Sequence, residues 1–346
     1  MKTVLLAFIV TVGCNAIAQT GGGFAFPFID LTYNARSSGL AGDFISVKDA
    51  DVNMGVANPS LLNKSMANTF GFNQALLAGG INYGMVNYGY NVDKIGCTMA
   101  SYIQYVSYGK FQRTAVNGIS EGTFSPFEMV AGTGIGKQLN PRISIGANLK
   151  FIYSQLETYT SFGSAIDIAG TYHHEDAGFL VTALVKNAGV QFNAYTEGGD
   201  RAPLPAEFQI AASYKLAHAP FRFSILAHHL NQWDLSYNDP NLKPTIDPLS
   251  GDTIPVPRAG FMEKLGRHFT YQLEVIASKN IHFRVGFDYQ KRKELMLEQR
   301  PGIAGTSFGL GLYFKKFSLD YGFTVYSRAG FNNMLTFTTN FSRWKK

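Results

Sequence analysis

From Arg142 to Ser154 the side chains alternate: Ile143, Ile145, Ala147, Leu149, Phe151 and Tyr153 share one face, while Arg142, Ser144, Asn148, Lys150 and Ser154 share the other. A period of two is the signature of a β-strand with one greasy and one polar face. The pattern returns at Ile281, Phe283, Val285, Phe287 and Tyr289 against His282, Arg284, Asp288 and Gln290, and again at Phe208, Ile210, Ala212, Tyr214 and Leu216 against Glu207, Gln209, Ser213 and Lys215. These runs are about eleven residues long, the length that crosses a bilayer when tilted, whereas strands of soluble sandwiches average about six.

Read this way, the chain predicts fourteen strands: 67–74, 80–91, 95–106, 126–137, 142–154, 163–173, 178–188, 206–216, 221–230, 268–278, 281–291, 304–314, 317–327 and 333–341. The number is even, as in single-chain outer-membrane barrels. Tight turns are expected at Val92 to Lys94, Ala217 to Pro220, Lys279-Asn280 and Lys315-Lys316. The connections 107–125, 189–205, 231–267 and 292–303 are long. Short turns at one end and long loops at the other set the polarity, periplasm against cell surface. The expected fold is therefore an all-β, fourteen-stranded antiparallel transmembrane β-barrel occupying 65–346.

Two segments stand apart. Residues 19–64 show no clean alternation and precede the first strand. A barrel of fourteen strands is wider than its own side chains can fill, so this segment is expected inside it as an N-terminal plug. Within it, Asn58-Pro59 reads as N-cap and first position of a short helix through Leu62. The loop 231–267 carries Pro240, Pro244, Pro248, Pro255 and Pro257 with Trp233 and Asp234 near its base, which suggests an ordered contact surface. Trp233, Asp234, Pro240, Pro244 and Pro248 are the candidate partner-binding residues.

Ahead of the plug, Lys2, the apolar stretch Val4 to Val12 and Ala16-Ile17-Ala18 form a signal peptide over 1–18, leaving Gln19 first. The alternative is lipidation at Cys14 of Gly13-Cys14, where Thr11 replaces the usual leucine. With Cys14 removed, Cys97 has no partner for a disulfide. Beyond Val12 no apolar run is long enough for a membrane-spanning helix.

Composition agrees without deciding. Of the 346 residues, 46% are hydrophobic and 16% charged, with 28 Phe and 18 Tyr, which excludes a disordered chain. The net charge of +6 comes from scattered basic residues without an aromatic-lined stripe, so no nucleic-acid partner is expected.

Candidate chemistry is sparse. Asp49-Ala50-Asp51-Val52-Asn53 imitates the start of a calcium loop, but Met54 stands at the glycine position and Ser60 at that of the bidentate glutamate. These carboxylates are expected to tie plug to wall. His173-His174-Glu175-Asp176 and His228-His229 are adjacent residues that a strand would send to opposite faces, so neither is expected to converge on a metal. His282 and Asp288 share a face but lie about 20 Å apart, too far for a dyad. Glu207, Lys215, Arg222, Glu274, Arg284, Asp288 and Asp320 read as lumen charges that pair with one another and with plug residues such as Arg36. Lys291-Arg292-Lys293 is a candidate contact for lipopolysaccharide phosphates within the outer-membrane lipid. No cofactor and no catalytic residue is expected.

Ala35-Arg36-Ser37-Ser38-Gly39-Leu40-Ala41-Gly42, followed by Asp49, Asp51 and Asn58-Pro59-Ser60-Leu61-Leu62, resembles the plug signature of the PorV-like branch of FadL-like, fatty-acid-transporter-type barrels in Bacteroidetes. Leu156-Glu157-Thr158-Tyr159, Ser161-Phe162-Gly163, Gln191-Phe192, Leu204-Pro205, His218-Ala219-Pro220-Phe221-Arg222, Trp233-Asp234 and Arg300-Pro301-Gly302 resemble the PorQ-type components of the type IX secretion system. The resemblance runs from about Gly21 to Phe341, with departures at Gly39 to Gly42 and in the tail from Ser342. It implies Arg36, Asp49, Asp51, Asn58 and Pro59 as the plug motif. It also implies a non-enzymatic role in an attachment complex with PorZ, PorU and PorV-like partners. The rival expectation is a transporter of hydrophobic small molecules; a passive porin is disfavoured by the plug.

Overall fold

The computed structural model describes residues 23–77, 80–237, 241–246, 249, 251–256, 258–296, 302–327 and 330–344; the signal peptide, Pro240, Pro248, Pro257, Arg300 and Pro301 lie outside them. No described helix is long and apolar enough to cross a membrane. Each expected strand forms, with ends shifted by a few residues: β1 (Thr69–Leu76), β2 (Asn82–Val92), β3 (Cys97–Ser107), β6 (Phe127–Asn140), β7 (Ile143–Leu156), β8 (Tyr159–His174), β9 (Phe179–Gln191), β10 (Glu207–Lys215), β11 (Phe221–Ala227), β14 (Phe269–Val275), β15 (Ile281–Asp288), β16 (Thr306–Tyr313), β17 (Phe317–Ser327) and β18 (Gly330–Asn340). They pair antiparallel in chain order, and β1 pairs with β18 from Thr69↔Asn340 to Leu76↔Asn333, which closes the ring. Two further hairpins, β4 (Phe111–Thr114) with β5 (Ser120–Phe124) and β12 (Thr245–Ile246) with β13 (Thr253–Ile254), stand in the surface loops.

Burial along β7 runs opposite to that of a water-soluble sheet. Ser144, Asn148, Lys150 and Ser154 are buried while Ile143, Ile145, Leu149 and Phe151 are exposed. Other strands repeat this outward band at Ile166, Ile168, Val185, Phe223, Ile225, Phe283, Val285, Leu319 and Leu335. So much contiguous apolar surface is stable against hydrocarbon and not against water. Phe151→Arg should accordingly cost about 2–4 kcal/mol in reversible unfolding from lipid vesicles, the penalty for a cation on the lipid face near mid-depth; no loss would place this face elsewhere.

The wall is uneven. β6 to β9 have 14, 14, 16 and 13 residues, whereas β11 and β14 have 7 each. At about 3.3 Å per residue β8 is roughly 50 Å long, and at a tilt of about 40° it covers about 40 Å of the membrane normal, beyond the ~30 Å hydrocarbon core. β7 and β8 join through a tight turn in which Glu157 has φ 60°, and Arg113 of the β4–β5 hairpin pairs with Glu157 at 2.8 Å.

Residues 24–66 lie within the ring. The Ala25 amide donates to the Pro203 carbonyl in a surface loop, while Lys64 pairs with Asp93 in the periplasmic turn, so the plug runs the length of the lumen. Having no strand ladder, it satisfies its amides locally: Asn34 caps α1 (Ala35–Ser38), Asp51 caps α2 (Val52–Ala57), and Asn58 caps the 3-10 turn Pro59–Leu61. Wall side chains take up its carbonyls; Gln272 donates to Leu40 and Asp43, Asn148 to Val56, and Thr324 to Ser38. Phe26, Phe28, Tyr33, Val52 and Met66 pack against Met85, Tyr102, Val130, Ile152 and Met334 of the wall, giving the lumen an apolar core.

Candidate functional site: plug lock and loop cap

Arg36 is 3% exposed and reaches across the lumen to Glu274 of β14, with Nε to Oε1 at 2.9 Å and Nη2 to Oε2 at 3.0 Å. Its Nη1 meets Asp49 at 2.7 Å and Asp51 at 3.4 Å, and the ring of Phe44 lies 5.2 Å from the guanidinium carbon. Glu274 also accepts from Arg222 at 2.5 Å and Arg284 at 3.0 Å, and Arg284 continues to Asp320 at 2.6 Å. Three guanidiniums and four carboxylates thus form one network in a low-dielectric interior, which holds only while every member is paired. The Asp49 and Asp51 carboxylates bind Arg36, and Asp51 Oδ1 the Asn53 amide at 3.1 Å; contrary to expectation they bond within the plug and reach the wall through Arg36. Lys215 differs from expectation: it sits exposed at the periplasmic end of β10 and not among the lumen charges.

Asn58 and Pro59 occupy a second place. Asn58 Nδ2 donates to the Ile45 carbonyl at 2.8 Å, and Ser60 Oγ meets Thr171 at 2.6 Å. The turn presses on the wall at Gly146, where a Cβ would come within 2.3 Å of the Pro59 carbonyl carbon. The plug motif therefore splits into a charge lock and a backbone seat.

A third cluster escaped the sequence reading. Lys186 bridges the plug residues Asp43 at 2.7 Å and Asp30 at 3.1 Å, and Lys150 meets Asp167 at 2.8 Å. A bulge in β9, with Asn187 at φ 57°, lets the Asn187 amide donate to Asp167 at 2.8 Å. Lys150 on the polar face of its strand, and Asp167 between the buried Ala165 and Ala169, are the signals that point to this cluster. Asp43, Lys150, Asp167 and Lys186 line a polar cavity of about 40 Å³ with Gln104, Tyr102 and Asn53. That is room for two or three waters.

At the surface end the loop after β11 folds onto itself and onto α4 (Tyr289–Leu295). Trp233 stacks on His268 at 5.8 Å and leans on Phe261 of α3 (Phe261–Gly266) at 5.4 Å, and Asp234 pairs with Lys264 at 2.5 Å. Trp233 and Asp234 thus brace the loop base, while Pro244 is exposed beyond it. Leu242, Ile246 and Ile254 of the loop and Met262 of α3 are also exposed. α4 turns inward: Lys291 donates to the Ala41 carbonyl of the plug at 2.6 Å, Arg292 to Gly302 at 2.7 Å, and Lys293 pairs with Glu263 at 3.2 Å. Each basic side chain of the triplet thus has a partner within the chain.

One histidine pair overturns its expectation. His229 has φ 53°, a left-handed conformation that cancels strand alternation, so both rings turn to the same side. His228 Nδ1 lies 2.7 Å from His229 Nδ1, which lies 3.3 Å from Glu207 Oε1. Burial pulls His228 down to about 4, leaving its ring neutral at pH 7. His174 instead accepts from the Ala177 amide, and His282 packs 4.5 Å from the Tyr313 ring.

No family model matches the chain, and no curated protein matches it. Solved structures do. The Pseudomonas putida toluene transporter TodX is 12% identical, with a TM-score of 0.53 over 90% of this chain and 99% of that one. The Ralstonia pickettii toluene transporter TbuX is 10% identical, with a TM-score of 0.51 over 92% and 100%. The monoaromatic hydrocarbon channel CymD is 12% identical, with a TM-score of 0.52 over 90% and 98%. At these identities the likeness is one of fold: the closed fourteen-strand barrel of this chain is similar to the folds of these transporter and channel proteins.

Proposed function

We propose that this chain is a non-enzymatic outer-membrane barrel, closed by its own N-terminal segment, whose surface loop docks a secreted protein. The carrying observation is the buried Arg36–Glu274 lock, which ties plug to wall where a conduit would need a path. The inside-out burial of the strands supports the membrane location. The exposed Leu242, Ile246 and Ile254 above a braced base support docking, since apolar side chains presented to water gain from being covered. The finer reading is a component of the type IX secretion attachment complex, holding a PorZ-like surface protein near PorU and PorV-like partners. It is supported by the sequence resemblance from Leu156 to Gly302.

A second reading is transport of hydrophobic small molecules, favoured by the fold shared with TodX, TbuX and CymD. That likeness bears on the second reading more directly than on the first. Against it stand the charged side chains that tie the plug to the wall.

The two separate in one experiment. Replacing Leu242, Ile246 and Ile254 by Asp should release a PorZ-like partner from the cell surface into the medium while the barrel still assembles. Unchanged retention removes the loop as docking site. Normal attachment in a deletion strain that has lost uptake of a hydrocarbon or lipid would hand the function to the second reading.

A further inference from the structure

We propose that Glu207, His228 and His229 bind one divalent transition-metal ion, with zinc the best fit, which pins the base of the surface loop to β10. The ligand atoms all lie within 4.8 Å of one another. Tetrahedral zinc, with bonds of about 2.0–2.1 Å, needs its ligand atoms about 3.3 Å apart. The His229 Nδ1 to Glu207 Oε1 separation is already 3.3 Å, and the two Nδ1 atoms at 2.7 Å need only a small ring rotation to open. Two imidazoles and one carboxylate form a donor set that suits zinc and its neighbours; calcium and magnesium take oxygens.

The fold leaves the two imidazoles underused, while Glu207 Oε1 accepts from the His229 amide at 3.0 Å and keeps a second lone pair for an ion. Two imidazole nitrogens facing each other can share only one proton, and His228 Nε2 is buried with no hydrogen-bond partner. The pair is therefore an incomplete hydrogen-bond arrangement as well as a convergent ligand set. Asp288 and Glu294 lie within electrostatic reach and favour a cation, with Lys291 opposing them. The His229 side chain is 44% exposed, which gives an entry path and leaves the fourth position to water. Glu207 opens β10, and the histidines follow the end of β11, so one ion would join neighbouring strand ends at the root of the loop. The rival occupant is a proton, with an imidazolium at His229 paired to Glu207.

The test uses the full chain, without a polyhistidine tag, in detergent micelles, titrated with Co²⁺ and then Zn²⁺. The expected result is one Co²⁺ per chain, with the visible absorption of low-coordinate cobalt, displaced stoichiometrically by Zn²⁺. His229→Ala and Glu207→Gln should each weaken binding at least tenfold, while His173→Ala/His174→Ala leaves it unchanged. Folding of every variant is checked by its faster migration before boiling. Absence of a stoichiometric cobalt signal overturns the proposal, as does binding that survives both variants or is lost with the His173/His174 pair. Zinc should also slow protease cleavage within 242–256 of the wild type and not of His229→Ala; equal cleavage would remove the pinning role.

Discussion

Replacing Glu274 by Gln should loosen the plug and lower the stability of the barrel by about 3–5 kcal/mol, the cost of leaving buried charges without their partner. Glu274 is 1% exposed and takes hydrogen bonds from Arg36, Arg222 and Arg284. Glutamine keeps the shape and one acceptor oxygen but not the charge. Arg36 would retain Asp49 and Asp51, and Arg284 would retain Asp320, so the loss falls hardest on Arg222. The measurement is the temperature at which the fast-migrating unboiled band is lost, together with urea unfolding in lipid vesicles. Asp320→Asn should do less, because Arg284 keeps Glu274 and the Tyr313 hydroxyl. Stability equal to the parent in Glu274→Gln would mean that the network does not hold the plug.

The second large effect needs only a methyl group. A Cβ at Gly286 would lie 2.2 Å from the Leu40 carbonyl carbon and 2.5 Å from the Ala41 nitrogen, and backbone cannot fold away as a side-chain tip can. Gly286→Ala should therefore push the 39–42 turn off the wall, costing about 1–3 kcal/mol as overpacking. It should also turn a silent barrel into one that conducts ions across a planar bilayer. Gly170→Ala is the control, since nothing lies within 4 Å of its Cβ. A silent Gly286→Ala barrel of parental stability would show that the plug does not seal at this turn.

The ring was legible because its rule is local: every second side chain of a segment such as Ile143 to Tyr153 must meet lipid, whatever the rest of the chain does. The plug obeys no such rule. Arg36 finds Glu274 at a separation of 238 residues, and nothing near Arg36 in sequence marks that partner. Left-handed residues also hid sites. At His229 and Asn187 a single positive φ reversed or bulged the alternation, and neither residue type announces it as glycine would. Trp233 and Asp234 were conspicuous in a proline-rich loop, but their prominence did not reveal direction; they turn toward His268 and Lys264. The inward turn of α4 was likewise unreadable, because a basic triplet looks the same whether it meets solvent or a carbonyl of the plug.

The seating of the plug also orders events in time. Ala35 hydrogen-bonds to Thr336, 301 residues later, and α1 rests on β16, β17 and β18. The portion of the chain that leaves the ribosome first thus obtains its partners last, once the closing hairpin exists. Until then its Arg36 and its apolar side chains travel without their permanent company. A truncation that removes only the final hairpin should therefore strand this earlier portion as well as leave the cylinder open.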